Sequence, residues 1–367
     1  MKELLKTAVR AVIGTPPCAS TTHADYAAAQ PEAWYQAFAA DDRIRMPPRW
    51  FGAVEVDFTS LIEPIPPLGV YAFANGRASG RSGKCCSASG TIIRETTWYG
   101  RALDPSPSVL SLRLPKRLKG TCLSLVCEFS SDSYGHYLLD SLSRLGIALQ
   151  AGWTLDAIDH FYIYEPPSRS ARQMLGALGI AESKCVWANR VPEIVADRLL
   201  VTSFPGTRRN YARVVPETLA RPFQHVACSG RRLFAPRLGK RMIANGAEIE
   251  GISREMGLEI YDYASAASEF IHFREAELVV GAHGAGLTNI ALCHPGTKVM
   301  ELVPTDHVFP YYYTLAEAAG LEYSCLAGHS SQMREKGAWG PSPFDFTVDP
   351  DEYRSALGTL LAELDAR

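Results

Sequence analysis

The segment with the clearest chemistry is Leu278–Asn289, where an apolar strand runs into a turn of glycines and alanines and a helix follows at once. Small residues let a ligand approach the backbone, and the first N–H groups of a helix, at its positive end, favour a diphosphate. The sequence therefore predicts a phosphate-binding loop, with a ligand-free strand-to-helix turn as the alternative. The residues assigned to this loop are Gly281, His283, Gly284, Ala285, Gly286, Leu287, Thr288 and Asn289.

A single carboxylate follows in the next apolar strand, Lys298–Val303. Glu301 lies towards the carboxyl end of that strand, and ligand crevices of α/β sheets lie at these ends. We predict that Glu301 accepts hydrogen bonds from ribose hydroxyls. A strand-end glutamate in solvent is the alternative.

A second polar segment, Ser131–Asp140, follows a buried strand and opens an apolar helix. His136 and Asp140 are four residues apart and therefore share one helical face. Asp140 either orients His136 or is itself the base, and both arrangements suit removal of a proton from an attacking hydroxyl. A core histidine satisfied by a structural aspartate is the alternative.

A third group is basic. Arg231 and Arg232 follow the predicted strand Val226–Cys228, and Arg241 and Asn245 lie further along the chain. Arginines at the end of a strand can clamp phosphates bidentately, whereas a solvated basic loop is the alternative. Its position after a strand assigns Arg231 to the phosphate site. The assignment of Arg241 and Asn245 to the donor site, and the open choice between Arg231 and Arg232, rest on the family resemblance described below.

The surrounding elements predict an α/β protein of two domains. At 367 residues the chain exceeds the ~250–300 residues at which single cores stop growing. Strands alternate with helices from residue 123 and again after residue 226, which is typical of two doubly wound sheets. We place an N-terminal domain at 1–205, made of a loop-rich, β-containing region (1–118) and a βαβα core (119–205). A ligand-binding domain at 206–345 and a C-terminal helix at 346–367 complete the chain.

Hydrophobic periodicity assigns the individual elements. The predicted strands are Ala53–Phe58, Val70–Phe73, Thr91–Tyr99, Leu123–Phe129, Phe161–Tyr164, Leu199–Thr202, Val226–Cys228, Leu258–Tyr261, Leu278–Val280 and Lys298–Val303. The predicted helices are Tyr134–Leu149, Ser168–Leu178, Asn245–Met256, Ala264–Ala276, Gly284–Cys293 and Tyr353–Leu364. Asp349 and Pro350 read as the cap and first residue of the last helix rather than as part of a metal-binding D-x-D motif.

Composition narrows the class of protein. With 37 Lys+Arg against 39 Asp+Glu, binding of nucleic acid through phosphate neutralisation is not expected. The nine cysteines are scattered and without zinc-site spacing, so we predict buried free thiols, a reducing cytoplasmic compartment and no metal. The amphipathic segment Met1–Ile13 is expected to dock on the protein itself, with peripheral contact to the inner face of a membrane as the alternative.

These motifs resemble glycosyltransferase family 61, which includes bacterial polysaccharide-biosynthesis proteins and plant and animal enzymes that add xylose or N-acetylglucosamine. Val280–Asn289 with Pro295–Glu301 is similar to the family signature V-G-x-H-G-A-G-L-T-N … P-G-x-x-V-x-E. Ser133–Leu145 is similar to N-Y-x-H-x-L-L-D-x-L-x-R-L, and Ser229–Glu248 weakly resembles S-R … R-x-x-x-N-E-x-E. The resemblance spans roughly residues 123 to 320.

The resemblance implies an inverting, metal-independent glycosyltransferase of the GT-B type, in which two Rossmann-like domains face a cleft. A nucleotide-sugar donor would bind the C-terminal domain, and the acceptor would be a glycan or lipid-linked glycan in polysaccharide biosynthesis. Three residues depart from the family pattern: Ser133, Gly230 and Gly246. Ser133 and Gly246 support the alternative of a non-catalytic glycan- or nucleotide-binding protein on the same fold, and Gly230 leaves open whether Arg231 or Arg232 contacts the phosphate. The sugar, nucleotide, linkage and oligomeric state are not predicted.

Overall fold

The computed structural model describes residues 19–41, 47–55, 61–80, 82–97, 114–207, 210–237, 239–263, 269–333, 335 and 342–367. The chain divides into two compact units, Met1–Asp42 with Pro64–Arg208, and Arg43–Glu63 with Arg209–Arg367. Among the helices described, none has the length and apolar character needed to cross a bilayer. The amphipathic segment predicted at Met1–Ile13 lies outside the described residues.

The elements are numbered along the chain. The strands are β1 (Ala19–Thr21), β2 (Trp34–Phe38), β3 (Arg49–Phe51), β4 (Leu68–Ser79), β5 (Cys85–Cys86), β6 (Thr91–Ile93), β7 (Lys116–Ser124), β8 (His160–Ile163), β9 (Cys185–Trp187), β10 (Glu193–Thr202), β11 (Gly206–Thr207), β12 (Asn210–Tyr211), β13 (Arg231–Ala235), β14 (Glu259–Ile260), β15 (Ala276–Ala282), β16 (Lys298–Pro304), β17 (Glu322–Ser330) and β18 (Phe346–Thr347).

Helices connect most of these strands. The α-helices are α1 (His23–Ala29), α2 (Tyr134–His136), α3 (Arg144–Gln150), α4 (Arg169–Ala177), α5 (Val214–Ala220), α6 (Gly246–Glu255), α7 (Glu269–Glu275), α8 (Tyr311–Ala318) and α9 (Pro350–Asp365). A π-helical turn covers Tyr137–Leu142, and 3₁₀ turns cover Pro31–Ala33, Arg94–Thr96, Glu182–Lys184, Arg221–Phe223 and Ala285–Leu292.

The first unit contains a mixed sheet in the order β2-β4-β10-β7-β8-β9, with β5 paired to β4. Strands β10, β7, β8 and β9 run parallel, whereas β4 pairs with β10 and β2 in antiparallel fashion. Strand β4 is much longer than the predicted Val70–Phe73. The prediction was too short because glycines within β4 interrupt the hydrophobic pattern by which a strand is recognised. A Cβ on Gly76 would lie 2.7 Å from the Cβ of Leu199, so glycine lets β4 pack closely against β10.

The second unit contains a sheet in the order β14-β13-β15-β16-β17-β18, with β3 also paired to β17. Every pairing is parallel except that of β18. When β13 is counted as the first strand, the strands β14-β13-β15-β16-β17 have the 2-1-3-4-5 order of doubly wound proteins. The switch point of such sheets lies between the first and third strands. That switch point is the gap between the carboxyl ends of β13 and β15.

The second sheet also takes a strand from the N-terminal region that we assigned wholly to the first domain. Strand β3 aligns Arg49 with Ser324 and Phe51 with Leu326 of β17, and residues 43–63 belong to the second unit. This pairing joins residues about 275 positions apart along the chain, so no local pattern announces it.

The two faces of the second sheet carry different residues because side chains alternate along a strand. Leu278, Val280 and Met300 pack into an apolar cluster with residues of α6 and α9. The intervening residues, including Gly281 and Glu301, which are direct neighbours across β15 and β16, face the other side of the sheet. Glu301 and its neighbour Gly281, at the start of the Gly-rich loop, therefore lie on the same side of the sheet.

Several predicted elements need correction. Residues Val226–Cys228, predicted as a strand, are described and form no strand. The chain enters the sheet instead at β13, which begins five residues after Val226. The helix predicted at Ala264–Ala276 is described only as α7, because residues 264–268 lie outside the described part. The helix predicted at Gly284–Cys293 is a 3₁₀ helix, and α8 and β17 were not predicted.

The C-terminal helix begins as predicted, with Asp349 as its cap. The Asp349 side chain accepts hydrogen bonds from the backbone N–H groups of Asp351 and Glu352, both at 2.9 Å. We expect Asp349→Ala to lower the free energy of unfolding by about 0.5–2 kcal/mol, the usual loss for such a cap. Chemical denaturation measures it, with Asp351→Ala as control. An equal loss in both variants would contradict the assigned cap.

Candidate functional site

The Gly-rich loop of the second unit begins where β15 ends, at Ala282, and a 3₁₀ helix starts at Ala285 with Gly284 as its cap. No side chain caps this helix, and the first N–H groups of a helix have no partner inside it. Ala285 is exposed and Gly286 is half-buried, whereas Leu287, Thr288 and Asn289 are buried. A ligand would therefore meet the backbone at Ala285 and Gly286.

The glycines of this loop are required by neighbouring protein groups. A Cβ on Gly284 would lie 1.3 Å from Nη1 of Arg237, and one on Gly286 would lie 2.2 Å from the hydroxyl of Tyr263. No substitution fits without displacing these side chains. The loop is therefore held between an arginine and a tyrosine at its exposed end.

Arg237 lies at the switch point of the sheet, two residues after β13. Its Nη1 donates to the backbone oxygen of His283 at 2.8 Å, and its Nε donates to that of Lys240 at 2.6 Å. Burial lowers the pKa of Arg237, and Tyr312 and Tyr263 partly offset this effect. Arg237 was not predicted from the sequence, because the predicted strand Val226–Cys228 ended before Arg231. The A-P-R tripeptide after an apolar strand could have identified it.

Arg231 and Arg232 lie at the opposite edge of the sheet, at the amino ends of the strands, because Arg231 aligns with Ala276, the first residue of β15. Each arginine binds two carboxylates there. Arg231 contacts Glu259 at 2.6 Å and Glu275 at 3.3 Å, and Arg232 contacts Glu277 at 2.6 Å and Asp365 at 2.8 Å. The structure brings neither arginine to the Gly-rich loop.

Asn245 has a structural position. Its side chain donates to the backbone oxygen of Val348 at 2.8 Å and accepts from the Val348 N–H at 3.1 Å, which ties the start of α6 to the segment before α9. Arg241 is buried, and its positive charge acts on Glu301 and Tyr312. Among the described residues, Arg241 is therefore the one basic residue assigned from the sequence whose charge acts on side chains near the Gly-rich loop.

Glu301 is fully buried. Its Oε1 lies 2.5 Å from Nδ1 of His283, and its Oε2 accepts a hydrogen bond from Tyr323. Both carboxylate oxygens thus have partners within the protein, which corrects the alternative of a strand-end glutamate in solvent; the ribose contact stays a prediction. Burial raises the pKa of Glu301 to about 8, although the Tyr323 hydrogen bond and the Arg241 charge each lower it.

The Tyr323–Glu301–His283 chain follows from strand register. Glu301 is the direct neighbour of Gly281 on β15 and of Cys325 on β17. His283 is two positions from Gly281, and Tyr323 is two positions from Cys325; side chains two positions apart along a strand point to the same face. The side chains of Tyr323, Glu301 and His283 therefore share one face of the sheet. The buried carboxylate fixes the orientation of the His283 ring next to the loop, as outer partners of functional histidines commonly do.

The second candidate site is the His136–Asp140 pair of the first unit. Asp140 is fully buried, the His136 side chain is 27% exposed, and His136 Nδ1 lies 2.5 Å from Asp140 Oδ2. Burial alone would lower the pKa of His136, but the hydrogen bond and charge of Asp140, with the charge of Asp132, raise it. The exposed ring can meet a substrate, whereas the buried carboxylate can only orient it.

A π-helical turn sets this geometry. The predicted helix Tyr134–Leu149 starts as expected, with Ser133 accepting from the N–H of His136 at 3.4 Å, but it widens to a π-helix over Tyr137–Leu142. Such turns occur frequently at functional sites. Behind it, the buried Arg144 donates to the backbone oxygens of Val126 at 2.9 Å and Thr96 at 2.7 Å, which fixes the chain that leaves β7.

Within the described residues, the cysteines and the other side chains that could bind a metal form no third site. The eight cysteines within the described residues are free; Cys228 is exposed and Cys185 half-buried, which corrects the prediction that all are buried. In the part of the chain that the structure describes, no group of three or more His, Cys, Asp or Glu side chains suits a metal ion.

One region of similarity to known proteins covers the His136–Asp140 pair and the Gly-rich loop. Residues 134–300 match the family model described as glycosyltransferase 61. This match bears out the resemblance to that family that the motifs indicated. The match begins at the first residue of α2 and ends within β16, so it includes the His136–Asp140 pair, Arg237 and the Gly-rich loop.

Two plant relatives share a short segment with the chain. A beta-1,2-xylosyltransferase of Arabidopsis thaliana is 36% identical over 53 residues, and one of Oryza sativa subsp. japonica is 38% identical over 53 residues. Each match covers 14% of this chain and 10% of the plant protein. The chain therefore matches about a tenth of the length of these curated relatives.

The first test of this geometry concerns His136. Asp140→Asn removes the hydrogen bond and charge that raise the His136 pKa and leaves the burial that lowers it. We therefore expect the titration midpoint of His136, measured by NMR, to fall. Asp132→Asn, which removes only a weaker charge effect, should produce a smaller fall. An unchanged midpoint in Asp140→Asn would contradict the pairing.

A second test concerns Glu301. Tyr323→Phe removes a donor to its carboxylate, so the pKa should rise above about 8. Infrared titration of the carboxyl band, with isotope-labelled glutamate and Glu301→Gln to assign it, measures the midpoint. Tyr353→Phe is the matched control because the Tyr353 hydroxyl bonds Ser253. A midpoint that moves in the control and not in Tyr323→Phe would contradict the hydrogen-bond chain.

Proposed function

We propose that this chain is an inverting glycosyltransferase of the GT-B type, which moves a sugar from a nucleotide-sugar donor to a hydroxyl of a glycan acceptor. The observation that carries the proposal is the contact between Arg237 and the backbone at His283, at the switch point of a doubly wound sheet. Ligands of open α/β sheets bind at such points. The match to glycosyltransferase 61 supports the same reaction class.

The loop supplies what a diphosphate leaving group needs. The N–H groups at Ala285 and Gly286 and the helix end favour negative charge, and the Arg237 guanidinium brings a full positive charge to the same turn. These groups can stabilise the charge that develops as the bond from the anomeric carbon to the diphosphate breaks. We propose that the reaction needs no divalent metal for this reason.

The His136–Asp140 pair would supply the base. In this proposal His136 takes the proton of the acceptor hydroxyl on Nε2, because Nδ1 is engaged by Asp140. The hydroxyl oxygen then attacks the anomeric carbon from the side opposite the diphosphate, so one C–O bond forms as another breaks and the configuration inverts. The burial of Asp140 supports His136 rather than Asp140 as the base.

The donor sugar and pathway are narrower proposals. The plant relatives are named as beta-1,2-xylosyltransferases, which makes a pentose donor a first choice to test beside hexoses. We retain a cytoplasmic role in polysaccharide biosynthesis, with a glycan or lipid-linked glycan as acceptor. Docking of Met1–Ile13 on the protein itself remains our prediction, with peripheral membrane contact as the alternative.

Donor binding tests the assignment of the phosphate site. We expect Arg237→Gln to weaken nucleoside diphosphate binding by roughly 10- to 150-fold, since charge-assisted hydrogen bonds contribute about 1.5–3 kcal/mol. Arg231→Gln, at the opposite edge of the sheet, should bind like wild type. Isothermal titration measures both, with and without a chelator. The reverse ranking, or a tenfold loss on chelation, would contradict the proposed site.

Turnover tests the base. Nucleotide release is measured with a panel of nucleotide sugars, including UDP-xylose, and a mixture of glycan acceptors. Asp140→Asn should lower the rate by about 10²–10⁴-fold, the usual contribution of general base catalysis, and keep donor affinity. Full activity in this variant and in His136→Ala would exclude the pair as the base. Wild-type protein that binds donor but never turns over would favour the binding-only alternative.

A further inference from the structure

We propose that Phe309 and Tyr311 form an aromatic shelf on which the base of the nucleoside diphosphate stacks. This inference rests on the proposed function and adds the part of the ligand that the Gly-rich loop does not explain. The loop's backbone and Arg237 address phosphate charge alone. A nucleotide also carries a flat, aromatic base, which needs ring faces nearby.

The shelf lies beside the loop because it follows the neighbouring strand. Strand β16 ends at Pro304, and Tyr311 opens α8 seven residues later. Strands β15 and β16 are parallel neighbours, so their exits lie at one edge of the sheet. Helix α8 packs against the 3₁₀ helix of the loop, which brings both segments to one site.

Four aromatic side chains form a closed circuit of ring contacts: His283, His307, Phe309 and Tyr311. Ring centroids are 5.1 Å apart for His283 and His307, 4.5 Å for His307 and Phe309, 6.0 Å for Phe309 and Tyr311, and 6.4 Å for Tyr311 and His283. His283 and His307 are buried, whereas Phe309 and Tyr311 are half-buried. Solvent therefore reaches this circuit through the two rings of the shelf.

The shelf is held in place from below. His307 Nδ1 accepts from the N–H of Ser342 at 3.4 Å, and Asp306 accepts hydrogen bonds from Ser330 and Ser342. These contacts fix the segment that carries Phe309. A surface that is ordered before the ligand arrives loses less entropy on binding.

The neighbouring polar groups favour a base over a sugar. Sugar recognition needs acceptors and donors for several hydroxyls, yet two carboxylates of this region already bind protein groups: Glu301 binds His283 and Tyr323, and Asp306 binds two serines. What the shelf offers is ring surface. Stacking of a base on an aromatic side chain tolerates any base, because each has a π-face.

The test compares three classes of probe by isothermal titration with the whole chain. The probes are inorganic pyrophosphate, the nucleoside diphosphates UDP, GDP, ADP and CDP, and UDP-xylose. Phe309→Ala and Tyr311→Ala should each weaken the best nucleoside diphosphate by about tenfold or more and leave pyrophosphate affinity unchanged. Tyr311→Phe keeps the ring and should bind like wild type.

Phe51→Ala is the matched control, since Phe51 is a half-buried ring of the same unit that packs towards the cluster under α9. It should leave all affinities unchanged. Nucleoside diphosphate affinity that survives in both shelf variants overturns the shelf and leaves the phosphate site standing. Loss of UDP-xylose affinity alone assigns the shelf to the sugar and also overturns the inference. If no nucleoside diphosphate binds the wild type, the proposed function and the shelf both fail.

Discussion

The second unit depends on one close contact, the guanidinium of Arg237 lying where a side chain on Gly284 would be. Because Gly284 has no Cβ, Arg237 reaches the backbone oxygen of His283 and joins the exits of β13 and β15. These are the two strands on either side of the switch point. Any larger residue at position 284 would push the positive charge away from the turn that it serves.

The same pairing of a buried carboxylate with a histidine occurs in both units, with different exposure. Asp140 holds His136, whose side chain is 27% exposed, and Glu301 holds His283, which is 5% exposed. An exposed histidine can exchange a proton with a substrate, whereas a buried one can only keep the adjoining backbone in place. Exposure, rather than residue type, thus separates the proposed base from the residue that orders the loop.

The sequence predicted the elements whose causes are local. The Gly-rich turn after β15, the capping of α9 by Asp349 and the shared face of His136 and Asp140 all follow from neighbouring residues. Arg237 was missed because β13 begins with two arginines, which in the sequence resemble a polar loop. In the structure these arginines are neutralised by Glu259, Glu275, Glu277 and Asp365. The contribution of β3 to the second sheet, and the burial of Glu301, depend on pairings between distant segments that no local pattern encodes.

The central claim is that a nucleoside diphosphate binds at the carboxyl ends of β13 and β15. Hydrogen exchange followed by mass spectrometry, with and without a saturating nucleoside diphosphate, tests it most directly, because bound ligand slows exchange of the amides that it contacts or orders. The account predicts added protection in peptides covering residues 235–242 and 283–292, and none at 229–232. Protection at the amino ends of the strands, or no protection in the second unit with any of the common nucleoside diphosphates, would contradict it.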